Sequence, residues 1–210
     1  MKERFRMNDL GPISSFLGIC FKQEKGLITM DQSQYLQNKL TEYNLQNIKP
    51  RTTPCEITDY NVHREVTGKG KVDDKLYREM VGSLIYAITC TRPDLSWAVS
   101  KLAQSFSNPS EGDVIMFRHV FWYVLGTIDY KLRFRKSENN LKLTGFSDSD
   151  WAGSLTDRKS TSGYCFVMNH IGPAISWKSK KQATVALSTC EAEYIAACAA
   201  AQEAVSVEIG

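Results

Sequence analysis

The six cysteines of this 210-residue chain (Cys20, Cys55, Cys90, Cys165, Cys190 and Cys198) include no Cys-x-x-Cys pair and no other zinc-type spacing. A structural zinc centre draws its ligands from short, regular separations, so that class is excluded. Histidine is equally sparse: His63, His119 and His170 share no metal-ligand spacing. No apolar run approaches the roughly 20 residues that a membrane-spanning helix needs. The start, "MKERFRMNDLG", is charged and has no apolar centre, which argues against a secretory leader. These absences predict an intracellular chain with free thiols. Charge of one sign is also lacking, because the formal net charge is only +3. The small cationic excess falls in residues 1–140, so any polyanion contact is weakly favoured there.

What is present is enough apolar residue to build a core: 42% hydrophobic against 23% charged, in a length that suits one large domain or two small ones. Two short apolar runs flank "KQEKG" in residues 12–30 and predict a hairpin. Asp31 is placed to cap a following helix whose Tyr35, Leu36, Leu40 and Tyr43 fall on one stripe. Residues 46–74, with Pro50, Pro54 and "TGKGK", read as an exposed loop or linker. Three helical segments come next: "KLYREMVGSLIYAITC", then "DLSWAVSKLAQSF" with Pro93 in its first turn, then "VIMFRHVFWYVLGT". After a change of character near residue 140, strands are expected at 141–149, 161–169 and 173–179 and a helix at 188–207. This order is an α+β pattern.

Within the last segment, "GFSDSDWAGSLTDRKSTSGYCF" sets Asp148 and Asp150 two apart on a strand, hence on one face. Like charges so held repel unless a cation or water separates them. A solvated strand end leading into a turn explains the pair equally well from the residues alone. Glu191 stands three residues after Ser188, a capping-box pattern that needs no ligand role.

The ordered pieces "FLGI", "YREMVGSLIYAITCTRPDLSWAVS", "SNPSE", "YVLGT", "GFSDSDWAGSLTDRKSTSGY", "ISWKSKKQATVALST" and "EAEYIA" together resemble the Pol polyprotein of copia-type retrotransposons over essentially the whole chain. The resemblance implies that residues 1–30 are the end of a reverse transcriptase palm with a primer-grip-like hairpin. It makes residues 31–140 a thumb and connecting region, and 141–210 the first half of a ribonuclease H domain. The expected fold is therefore α+β: a helical thumb-like unit followed by a truncated ribonuclease H-like β-β-β-α half domain. The polymerase YxDD turn of that family is expected upstream of Met1, and two of the four ribonuclease H carboxylates beyond Gly210.

Ribonuclease H chemistry in that family uses two magnesium ions held by converging carboxylates, one activating water and the other stabilising the leaving oxygen. The resemblance assigns Asp148 and Glu191 as catalytic and metal-binding positions, an incomplete set, with magnesium as the implied cofactor. The implied partner is an RNA–DNA hybrid or other nucleic acid, and further partners are the remaining Pol segments or a self-associating copy. Arg118, Arg158, Lys159, Lys178, Lys180 and Lys181 are candidate phosphate contacts, although solvated loops account for the lysine-rich stretches as well. Trp151 and Trp177 read as packing residues. The run "EGDVIMFRHVFWYVLGT" departs from the family pattern: His119, Trp122 and Leu125 stand where bases are usual. Decay of a nucleic-acid-facing surface, or its conversion to a packing surface, are the two readings of that loss. The expected role is that of a retrotransposon Pol fragment, inactive alone. The alternatives are a non-catalytic nucleic-acid-binding module and an inert, partner-binding relic.

Overall fold

The computed structural model describes residues 11–56, 72–137, 142–154, 156–170 and 172–209. The first sheet has the order β1 (Ser15–Phe16), β2 (Ile19–Glu24), β3 (Leu27–Asp31), β4 (Leu132–Arg135), all antiparallel. Gly26, at φ +76°, takes the left-handed position that turns β2 into β3, a conformation a side chain would resist. The hairpin thus forms where "KQEKG" predicts it. Strand β4 is a difference from the helical region expected over 31–140. Its four residues, LRFR, pair with β3 in the register Leu27↔Arg135 to Met30↔Leu132. So short a run, with arginine at alternate positions, carries no periodicity that distinguishes it from a solvated tail.

Helix α1 spans Ser33–Glu42 and buries Leu36 and Leu40. Its N-cap is Gln32, without a side-chain cap, so Asp31 does not cap it as expected. Asp31 instead accepts hydrogen bonds from the Ser33 amide at 3.1 Å and the Ser33 hydroxyl at 2.5 Å, and pairs with Lys131 at 2.9 Å. One carboxylate therefore ties the end of β3, the start of α1 and the approach to β4.

Helix α2 (Asp74–Cys90) is capped by Asp73, whose side chain accepts from the Lys75 and Leu76 amides. Tyr77, Val81, Leu84 and Ala87 recur at helical spacing and are fully buried. A 3-10 turn, Pro93–Leu95, begins on proline and passes into α3 (Ser96–Ala103). Helix α4 (Glu111–Gly126) opens with a capping box between Ser110 and Asp113. These helices and α1 share one core, in which Tyr43 meets Phe117 and Phe121 edge-on.

Helix α4 is buried on more than one side because the segment before α2 lies against it. The Arg51 amide donates to the Trp122 carbonyl at 3.1 Å, and a His119 ring nitrogen sits 3.0 Å from the Thr53 carbonyl. The Arg51 guanidinium lies 5.9 Å from the Trp122 ring centroid. Residues 46–56 form no helix or strand, as expected, yet they cover the face whose basic positions are lost. Of the two readings of that loss, conversion to a packing surface fits.

The second sheet has the order β5 (Leu143–Ser149), β6 (Thr161–Met168), β7 (Ala174–Lys181), antiparallel. Helix α5 (Thr189–Ile209) covers one face. Its Glu203 accepts from the Tyr164 hydroxyl at 3.1 Å and the Ser176 hydroxyl at 2.6 Å, and Ala192 and Ala196, small and fully buried, let it approach the strands. The opposite face meets the helical unit. There the Trp177 indole donates to the Ile88 carbonyl of α2 at 2.6 Å, and Lys101 of α3 reaches the Thr161 hydroxyl at 3.4 Å. Among the described residues the outer edge of β5 is unpaired. All six cysteines are free thiols, and among the described residues no helix is long and apolar enough to cross a membrane.

Candidate nucleic-acid interface

Registered partners in an antiparallel ladder share a face, and neighbours along a strand alternate. Asp148 is registered with Gly163, and the adjacent Tyr164 bonds to α5. Asp148 therefore lies on the face turned away from α5, towards the helical unit. It is exposed and lines a cavity of about 420 Å³ between the second sheet and the start of α3. Asp150, also in that wall, is committed: its carboxylate accepts the Thr161 amide hydrogen.

Glu191 is carried by α5 on the other face. Its carboxylate accepts the Leu187 amide hydrogen at 2.7 Å, while its own amide donates to the Ser188 hydroxyl at 3.1 Å. This is the expected capping exchange, displaced by one residue because the carboxylate reaches Leu187 and not Ser188. Among the described residues no group of three or more His, Cys, Asp or Glu side chains is placed to hold a metal ion. With Asp148 on one face, Asp150 bonded and Glu191 engaged at a helix start, the residues present do not fit a paired-magnesium centre.

The basic candidates divide into three groups. Lys178 and Lys180 are exposed on β7 at a spacing of two, hence on one face of that strand. Lys181 points the other way and pairs with Asp157 at 2.9 Å. That bond draws in the loop bearing Arg158 and Lys159, which is closed by amide bonds from Arg158 to the Ser154 carbonyl and from Ser154 to the Lys159 carbonyl. The Lys181 bond, with a second from Ser154, pulls the Asp157 carboxyl down to about 2. Arg118 is exposed on α4, within the helical unit, and belongs to neither group.

Two further charged residues hold the site together and were not singled out in the sequence. Arg92 is 1% exposed and bridges Asp94 at 2.8 Å, the Thr127 hydroxyl at 2.7 Å and the Thr127 carbonyl at 3.3 Å. Burial, with Asp94 nearby, pushes the Tyr123 phenol up to about 12. Lys101, 7% exposed, lies 5.3 Å from the Trp97 ring centroid, and burial lowers its pKa. The "TRPD" spelling was available as a signal for Arg92, since proline after it fixes the turn that lets Arg92 and Asp94 meet. Lys101 had none, because a lysine on a helix is ordinarily solvated.

Comparison with known proteins agrees with this architecture. The reverse transcriptase (RNA-dependent DNA polymerase) family matches residues 1–57. The retrovirus-related Pol polyprotein from transposon TNT 1-94 of Nicotiana tabacum is 37% identical over 94% of this chain. The chain belongs to the copia-type retrotransposon Pol polyproteins. The corresponding polyprotein from transposon RE1 of Arabidopsis thaliana is 36% identical over 92% of the chain. The chain spans 15% of the length of the first polyprotein and 13% of the second. It spans 82% of a third relative, the uncharacterized mitochondrial protein AtMg00810 of Arabidopsis thaliana, to which it is 36% identical over 97% of its own length. No solved structure matches. Family membership accounts for the motif order, and the structure adds that this Pol segment joins its helical and second-sheet units through Arg92, Trp177 and Lys101.

Proposed function

We propose that this Pol segment holds an RNA–DNA hybrid against its second sheet and helical unit, as a thumb and connecting region leading into a ribonuclease H-like unit. Hydrolysis of the RNA strand, with magnesium, then needs carboxylates supplied by other parts of Pol. The observation that carries this reading is the exposed cation pair Lys178 and Lys180 beside the Asp157-anchored loop of Arg158 and Lys159. Cations on a sheet edge and an adjoining loop can follow a phosphate backbone without reading sequence. The unmatched carboxylates argue for holding over cutting.

The test is fluorescence anisotropy of a labelled RNA–DNA hybrid at several salt concentrations. Each phosphate neutralised contributes a slope of about −0.9 in log affinity against log salt on a B-form duplex. A slope of about −2 to −4 is expected, reduced in Lys178→Ala/Lys180→Ala. Affinity that does not change with salt, or that the double variant leaves intact, overturns the reading.

A further inference from the structure

The cavity bounded by Trp97, Phe146, Asp148 and Trp177 is unusual for a phosphate-binding surface, because its walls combine aromatic rings with a carboxylate. Its charges are largely settled within the protein. Asp94 is held by Arg92, and the Asp150 carboxylate accepts the Thr161 amide. Asp148 is left as the carboxylate of that wall with no printed partner among the described residues, and Lys178 stands beside it. A second polar group is also unsatisfied: Ser96, 8% exposed, lines the same cavity and its hydroxyl has no hydrogen-bond partner. A buried hydroxyl without a partner costs free energy that a ligand or water recovers. Phe146, 56% exposed, presents an apolar ring at this site, where water gains nothing from it.

We propose that this cavity takes one unpaired nucleobase of a bound strand, guanine before the other bases. The inference rests on the nucleic-acid reading above and goes beyond it by naming the moiety and its contacts. Unpaired bases are recognised by stacking on aromatic side chains and by hydrogen bonds to their Watson–Crick edges. The guanine edge offers two adjacent N–H donors, which match the two oxygens of Asp148. Uracil offers one N–H between two carbonyl oxygens, and those oxygens face a carboxylate unfavourably. Lys178 is positioned for the phosphate attached to the same nucleotide. The volume, about 420 Å³, accommodates one base with its sugar and not a duplex step.

The experiment compares three probes by anisotropy on the full chain: a blunt RNA–DNA hybrid, the same hybrid with a short guanine overhang, and the same with a uracil overhang. The guanine overhang is expected to bind about tenfold tighter than the blunt hybrid, the size of one stacked and bonded base. Asp148→Asn should abolish the preference of guanine over uracil, and Phe146→Ala should weaken both overhangs while leaving the blunt hybrid unchanged. Both residues are exposed, and thermal melting of each variant checks that it folds. If the blunt hybrid binds as tightly as either overhang, the cavity has no such role, although hybrid binding stands. If no probe binds, the functional reading fails and this inference with it. Guanine preference that survives in Asp148→Asn also overturns it.

Discussion

Arg92 and Asp94, separated by one proline, form a two-bond ion pair: Nε to Oδ1 at 3.0 Å and Nη2 to Oδ2 at 2.8 Å, with the guanidinium almost wholly buried. The same guanidinium satisfies the Thr127 hydroxyl and carbonyl at the end of α4 and lies near the Tyr123 and Tyr130 rings. It therefore joins the turn before α3, the end of α4 and the approach to β4. Removing it leaves a carboxylate and two Thr127 oxygens without their donor. Truncating one member of a buried pair typically costs about 3–5 kcal/mol. Arg92→Met is expected to lose at least about 3 kcal/mol in urea unfolding. Arg92→Lys should recover only part of that, because an ammonium lacks the planar fork. A loss below about 1 kcal/mol in Arg92→Met would show that the network is dispensable.

The helices were legible in the sequence because one-sided burial imposes a period, as in Tyr77, Val81, Leu84 and Ala87 of α2. The strands of the second sheet were legible to within two residues for a related reason: β-rich runs are bounded by turn-forming residues. Strand β4 was not, because its pairing with β3 joins residues about a hundred positions apart and LRFR carries no local trace of it. The covering of α4 by residues 49–56 was hidden in the same way, since a polar segment shows its packing only through the backbone bonds it makes. At the site, residue types were legible and faces were not. Asp148 and Glu191 were recognisable by motif, but the strand register decides that Asp148 faces the helical unit.

Lys101 makes one long hydrogen bond, 3.4 Å to Thr161, from a buried position. Burial is the largest influence on its ammonium and lowers its pKa from 10.5, aided by Lys181 and opposed by Asp150 and Asp157. A cation poorly paired in the interior is replaced at little loss by an apolar side chain of similar length. Lys101→Met is expected to leave stability unchanged or raise it by about 1 kcal/mol at neutral pH. Between the lowered folded pKa and the unfolded value of 10.5, the unfolded chain binds more protons than the folded one. Wild-type stability then rises with pH across that window, and the advantage of the variant shrinks. Chemical denaturation at pH 7 and pH 10 measures the difference; an advantage that grows with pH would contradict the sign.

Asp157 and Lys181 form an exposed pair that fastens the loop of Arg158 and Lys159 to β7. The lysine bond and the Ser154 bond hold the Asp157 carboxyl at about 2, below its ordinary 3.8. A depressed acid contributes its stabilisation above the unfolded value and loses it as pH falls from there through the folded value. Loop docking should accordingly weaken between pH 3.8 and about 2. A carboxyl-carbon NMR titration of Asp157 reads this directly. In Lys181→Met the midpoint should move up towards 3.8, and a midpoint that stays near 2 would assign the shift to Ser154 and the loop backbone.

Gly145 of β5 faces Phe166 of β6 across the ladder, and both belong to the face that α5 covers. A Cβ placed on Gly145 would lie 2.5 Å from one ring carbon of Phe166 and 3.0 Å from the next. The ring is 4% exposed and close to Tyr164, with centroids 5.9 Å apart, so it has little room to withdraw. The absence of a side chain at 145 is thus the space that Phe166 occupies. Gly145→Ala should destabilise by about 1–3 kcal/mol, the usual cost of forcing an extra carbon into a packed site. In Phe166→Leu, the smaller side chain vacates that space at its own cost. Combining the two should cost less than the sum of the single changes, by more than the roughly 0.5 kcal/mol that separates coupled from independent sites. Additive losses in that double-mutant cycle would mean that β5 shifts along or away from β6 to admit the methyl group, and that the contact does not fix the position of the strand carrying Asp148.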